Sequence, residues 1–184
     1  MKKIMFNDRY GLTQAVIEGR KTMTRRIVPT KTRLRRALAV IHDEPHGSEQ
    51  EEYLKSACYK VGEIVAVAQN YRSCGNYHVP KEHPGWSNKL FVIPALMPYQ
   101  IRITRIKCER LQDISDEECL REGIRQFTPN FPKNFPIYPT HFVIGDILKD
   151  TPRKAFAALI DKVSGRGTWA SNPWVVAYEF ELVK

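Results

Sequence analysis

The stretch Gly19-Arg20-Lys21-Thr22-Met23-Thr24-Arg25-Arg26 packs four cations and two threonines behind a short apolar-striped segment. Leu12, Ala15 and Val16 fall at i, i+3 and i+4, the spacing of one helical face. Gly19 then stands where a left-handed cap closes a helix. Ahead of this helix, Ile4 to Phe6 reads as a short strand. The predicted helix therefore delivers the chain directly into the basic stretch. In an extended chain alternate side chains share a face. Lys21, Met23 and Arg25 would lie on one side, Thr22, Thr24 and Arg26 on the other. Lys21 joins Thr24 only if the chain bends between them.

Downstream, residues 30–58 read as helical and polar, with a thin stripe of Leu34, Leu38 and Ile41 and a capping-box pattern at Ser48 and Glu51. Ile64-Val65-Ala66-Val67-Ala68 is a continuous apolar run, predicted as a buried strand. Residues 72–89 are rich in Pro, Gly, His and Asn and read as a loop. Residues 101–108 alternate apolar with polar, as a half-buried strand does. Ser115 caps a short helix through Leu120, with Asp116, Glu117 and Glu118 near its N-terminal dipole. Residues 126–150 carry Pro129, Pro132, Pro136 and Pro139 and are expected to form an irregular surface excursion. Pro152 opens a helix with Phe156, Leu159, Ile160 and Val163 on one face, ended by Gly165. Trp174 to Leu182 reads as the closing strand. Non-local strands with small helices point to an α+β domain or small barrel.

With 184 residues, 42% of them hydrophobic, the chain suits a single domain with a real core. No uncharged run exceeds 12 residues, short of the ~20 that span a bilayer. The start Met1-Lys2-Lys3-Ile4 is not followed by a signal-peptide h-region, so a cytoplasmic protein without membrane contact is expected. Cys58, Cys74, Cys108 and Cys119 are scattered and form no disulfide framework or zinc ribbon. His78 and His83 near Cys74 match no common zinc spacing; neither metal nor cofactor is expected. The net charge of +9 is uneven: residues 1–36 hold eleven Lys and Arg against Asp8 and Glu18, the whole of the excess. Such a block is an electrostatic footprint for a polyanion. Arg20, Lys21, Arg25, Arg26, Arg33, Arg35 and Arg36 are its candidate phosphate contacts.

The Gly-Arg-Lys-Thr-x-Thr stretch at residues 19–24 resembles the signature of the ASCH family. Three more stretches match in the same order. They are Val61-Gly62-Glu63-Ile64-Val65-Ala66-Val67, Glu109-Arg110-Leu111-Gln112-Asp113-Ile114-Ser115 with Glu122-Gly123-Ile124, and Gly167-Thr168-Trp169 through Asn172-Pro173-Trp174-Val175-Val176 with Phe180. The last is similar to the closing strand of the larger, often phage-associated members. Where the family usually has an acidic residue after its second strand, this chain has Gln69. The resemblance implies a PUA-like small β-barrel flanked by short helices, in one domain over 1–184. Insertions would lie at about 28–58, 72–95 and 125–150. It also implies a cleft floored by the Lys-Thr loop.

Two functional classes follow from that resemblance. One is an RNA- or nucleotide-binding module using a basic cleft. The other is an amidohydrolase of N4-acetylcytidine or a related N-acylated nucleoside, working through a Lys, a Thr and a Glu. By position those are Lys21, Thr24 and Glu122. The chemistry is sound on first principles: a desolvated Lys can take the proton of a Thr hydroxyl, and a nearby carboxylate can relay it to the leaving amine. Each residue also has a plainer use, Lys21 as a phosphate contact, Thr24 as a turn cap and Glu122 as an exposed helix end. A third class is a scaffold that binds protein through the 125–150 insertion. Trp169 and Trp174 read as core residues, Trp86 and Tyr77 as candidates for base stacking.

Overall fold

The computed structural model describes residues 1–41, 48–128 and 140–183. It is an α+β fold built on a five-stranded sheet and a separate three-stranded one. The large sheet takes β1 (Lys2–Ile4), β2 (Met23–Ile27), β3 (Ile64–Val67), β4 (Gln100–Arg110) and β8 (Trp174–Leu182). Its order is β1-β3-β4-β8-β2, with β1 parallel to β3 and every other pair antiparallel. The alternation read at 101–108 appears as buried Ile101 and Ile103 against exposed Arg102 and Thr104 on β4. In β3 the apolar run Val65, Ala66 and Val67 is fully buried, as a central strand covered on both faces requires.

Among the described residues no ladder joins β1 to β2, so the sheet is open between those edges. They communicate through a side chain, since Arg26 Nη2 donates to the carbonyl of Met5 at 2.6 Å, just past β1.

Helices α1 (Leu12–Ile17), α2 (Thr30–Ile41), α3 (Glu49–Lys55), α4 (Asp116–Arg121), α5 (Pro152–Ser164) and α6 (Thr168–Ser171) flank the sheet. Two of them start with reciprocal capping boxes, Ser48 with Glu51 and Ser115 with Glu118. Residues 126–150 differ from the irregular excursion expected. Their ends pair as β5 (Arg125–Phe127), β6 (His141–Ile144) and β7 (Ile147–Lys149), in the order β5-β6-β7. β5 pairs with β6 across the prolines, a non-local pairing, whereas β6 and β7 form a hairpin about Gly145-Asp146, with Gly145 at φ +56°. The four prolines themselves lie outside the described residues. The segment 72–97 is organised as three 3₁₀ turns over a small satellite core of Ala66, Ala68, Tyr71, Val92 and Met97.

Helix α5 carries the apolar face read from its spacing. Thr151 caps it by accepting from the Lys154 amide at 3.2 Å, and Phe156 is 1% exposed in the main core against Trp169. Phe156→Ala should cost about 3–5 kcal/mol, whereas Thr151→Ala should cost about 1 kcal/mol. Urea denaturation of the two variants checks the contrast; equal losses would mean that α5 is not held by its buried face.

Candidate functional site

Lys21 leaves α1 through a tight reversal: Gly19 takes φ +71° and the Lys21 amide donates to the Ala15 carbonyl at 2.9 Å. Strand β2 begins only at Met23, so Lys21 is free of the strand's alternation and its side chain turns inward. It is 2% exposed. Its Nζ donates to the Glu122 carboxylate at 2.6 Å and to the Glu122 backbone carbonyl at 2.8 Å. Glu122 ends α4, and Gly123 directly after it takes φ +106°. A Cβ at Gly123 would meet Leu12, Ala15 and the Lys21 side chain at 3.3–3.6 Å. That glycine lets the end of α4 approach the Lys21 loop. The sequence left Glu122 open as an exposed helix end; it is buried instead.

Arg25 also departs from the sequence reading, which placed it on a phosphate-binding surface. Its side chain is 1% exposed and its donors are taken by three carboxylates. Nε bonds Glu109 at 2.9 Å, Nη2 bonds Glu118 at 2.7 Å, and Nη1 bonds Glu122 at 3.2 Å. Lys107 closes the network from β4 onto Glu118 and, at 2.9 Å, onto Glu109. Lys21, Arg25 and Lys107 thus face Glu109, Glu118 and Glu122, three charges of each sign. Burial works against the Arg25 charge, yet the three carboxylates outweigh it and raise its pKa. For Lys21 burial wins: loss of water pushes its pKa down, although the Glu122 carboxylate opposes this. Glu109, Glu118 and Lys107 were not singled out as site residues by the sequence. Lys107 stood only in the half-buried strand 101–108, Glu109 only in the stretch that resembles the family and Glu118 only beside a helix dipole, none of which hints at a distant arginine.

Lys21, Thr24, Arg25 and Glu122 line one cleft of about 360 Å³. Thr24 is buried, and among the described residues no hydrogen bond engages its hydroxyl. The cleft opens where the large sheet fails to close, between Met5, Phe6 and Asn7 after β1 and Thr24 to Ile27 on β2. Phe156, Leu159, Ile160 and Val163 of α5 form its other wall. The Phe6 ring lies 5.7 Å from Lys21 Nζ and 6.0 Å from the Arg26 guanidinium.

The remaining basic candidates lie elsewhere. Arg26 is exposed at the cleft, and Arg20 is bound to Glu18 at 2.7 Å. Arg33, Arg35 and Arg36 ride on α2, where Arg33 donates to Thr30 and Arg36 pairs with Glu52 at 3.5 Å. Of the aromatics, Trp169 and Trp174 pack against the main core. Tyr77 is exposed and tilts against Trp86 at 5.9 Å, away from the cleft lining. Among the described residues no group of three His, Cys, Asp or Glu side chains is placed to hold a metal.

No family model matches the chain, and no curated protein matches it. One solved structure is similar, that of protein EF3133 from Enterococcus faecalis V583, described by the family model DUF984. The similarity covers 100% of this chain and 77% of that one, at 14% identity and a TM-score of 0.41.

Removing Arg25 leaves three carboxylates facing one another, so Arg25→Leu should cost about 3–5 kcal/mol. Arg25→Lys should recover little of it, because one ammonium cannot span three carboxylates. Denaturant titration at pH 7 checks both. Acid should act on the same network. Burial tends to raise the Glu118 pKa, but hydrogen bonds from Lys107 and the Ser115 amide, with the Arg25 charge, hold it below the usual range. Its contribution is therefore full above the unfolded value of about 4.3 and lost as pH falls through the lower folded value. Glu118→Gln should flatten the acid limb of a melting-temperature profile; an unchanged limb would exclude Glu118 as a contributor.

Proposed function

We propose that the chain is a PUA-like domain of the ASCH type, a single unit over 1–184, that binds a nucleoside-sized ligand and hydrolyses an N-acyl amide on it. The observation that carries this reading is the convergence of Lys21, Thr24 and Glu122 on one cleft, with Lys21 Nζ 2.6 Å from the Glu122 carboxylate. The floor supports an uncharged ligand, because its cations are already matched by carboxylates inside the protein. A phosphate there would have to break those pairs and leave buried carboxylates without partners.

The placement supports the following steps. The Thr24 hydroxyl adds to the amide carbonyl while its proton passes to the neutral Lys21 amine. The C–N bond then breaks, the departing base nitrogen takes that proton, and an acyl ester remains on Thr24. Water attacks the ester with Lys21 again as base, releasing the acid and restoring the hydroxyl. Glu122 holds Lys21 in place through two hydrogen bonds and offers a carboxylate to relay the proton.

A second reading keeps recognition without turnover: RNA or a nucleotide held by the exposed cations. Arg26 at the cleft and Arg35 on α2 favour it, since both are exposed, whereas Arg33 and Arg36 are half-buried and Arg36 pairs with Glu52. Under that reading, binding to single-stranded RNA weakens with log salt, with a slope near 0.7 per phosphate contact.

Purified protein should release acetate from N4-acetylcytidine. Lys21→Ala, Thr24→Ala and Glu122→Gln should each lower kcat by ~100-fold or more. Lys21→Arg should fail as badly as Lys21→Ala, since a guanidinium surrenders no proton near neutral pH. The rate should rise with pH as Lys21 loses its proton, with a midpoint below the ordinary lysine value of about 10.4. Burial and the neighbouring Arg25 and Arg26 charges set that direction against the pull of Glu122. No turnover by the wild type, with Lys21→Arg still binding nucleotide, would remove the hydrolase and leave the recognition module.

A further inference from the structure

Beyond its polar floor, the cleft continues as an apolar ramp. Phe156, Leu159, Ile160 and Val163 lie at i, i+3, i+4 and i+7 on α5 and all line it. Their burial grades outward, from 1% exposed at Phe156 and 3% at Leu159 to 45% at Val163. Ile27, partly buried, and Met5, 37% exposed, add apolar surface to the same cleft. The run from Phe156 to Val163 is roughly 10 Å long at 1.5 Å per residue. Lys21, Thr24 and Glu122 line the same cavity, which Phe156 and Leu159 border from the core and Val163 borders at its exposed side. An acetyl group would sit beside the floor and leave the ramp uncovered.

We infer that the cleft selects amides whose acyl part is an extended apolar chain, laid along α5 from Phe156 toward Val163, rather than an acetyl group. The inference rests on the reading above that an acylated nucleoside enters this cleft. The neutral floor positions the carbonyl at Thr24, and the ramp measures the chain behind it. Ile160 and Val163 are then the residues that set chain-length preference, because they line the outer half where added methylenes would lie.

Binding and turnover are measured separately on acetyl-, butanoyl- and hexanoyl-cytidine. Calorimetric titration of Thr24→Ala protein, which cannot form the ester, should show Kd falling about fourfold for each added methylene. Val163→Asp should abolish the gain between butanoyl and hexanoyl. Leu90→Asp, at an exposed apolar residue outside the cleft lining, should keep it. Affinity that is flat with chain length, a gain that survives Val163→Asp, or no binding by any member overturns the inference. Release of acid by wild-type protein is the other readout. A sloped binding series without release removes the hydrolase while the acyl site stands; release that is equal for all chains, with flat binding, does the reverse.

Discussion

Lys21 and Glu122 meet across 101 residues of sequence in a contact with almost no water around it. The polar end of the cleft is arranged around that contact. A buried ion pair adds little net stability, because desolvating both charges offsets their attraction, yet breaking it by removing one partner is costly. Its value here is positional. It fixes the loop after α1 against the end of α4, and Gly123 gives the backbone conformation that allows the approach. Arg25 extends the same constraint to β4 by holding Glu109, Glu118 and Glu122 together. Glu118 also caps its own helix through the Ser115 amide, so the cap and the network share one carboxylate.

The open edge of the large sheet is the second constraint. Had β2 paired with β1, the strands would have occupied the space where the cleft lies. Instead the gap is spanned by the Arg26 bond to the Met5 carbonyl and walled by α5. Chemistry-bearing groups sit at its floor while apolar side chains form its sides. A water-poor cleft strengthens each polar contact inside it and lowers the cost of a neutral lysine.

The basic N-terminal block divides once folded. Lys21 and Arg25 go inside, matched by glutamates, while Arg26 and Arg35 stay exposed and Arg33 and Arg36 are half-buried, Arg36 against Glu52. Charge counted along the chain therefore overstates the positive field of the cleft itself. Arg26 shares β2 with the buried Arg25, whereas Arg35 lies on α2, apart from the buried network.

Much of the local structure was legible in the sequence, because its signals are short-range. The apolar spacing of α5 with Pro152 at its start, the capping residues Ser48 and Ser115, the alternation of β4 and the apolar run of β3 each specify their element through neighbours a few residues away. The Lys-Thr loop and Glu122 stood out by resemblance to a family motif. What local sequence did not carry was pairing at a distance. Nothing near Arg25 in the chain announces that Glu109, Glu118 and Glu122 will surround it, so it read as a surface cation. The β5–β6 ladder brings together strands on both sides of a proline-rich stretch, which local composition read as irregular. The open edge between β1 and β2 likewise depends on the order of all five strands. Helix caps and periodicity are decided within a turn or two, whereas burial of charge is decided by which distant carboxylates the fold supplies. That choice belongs to the tertiary structure.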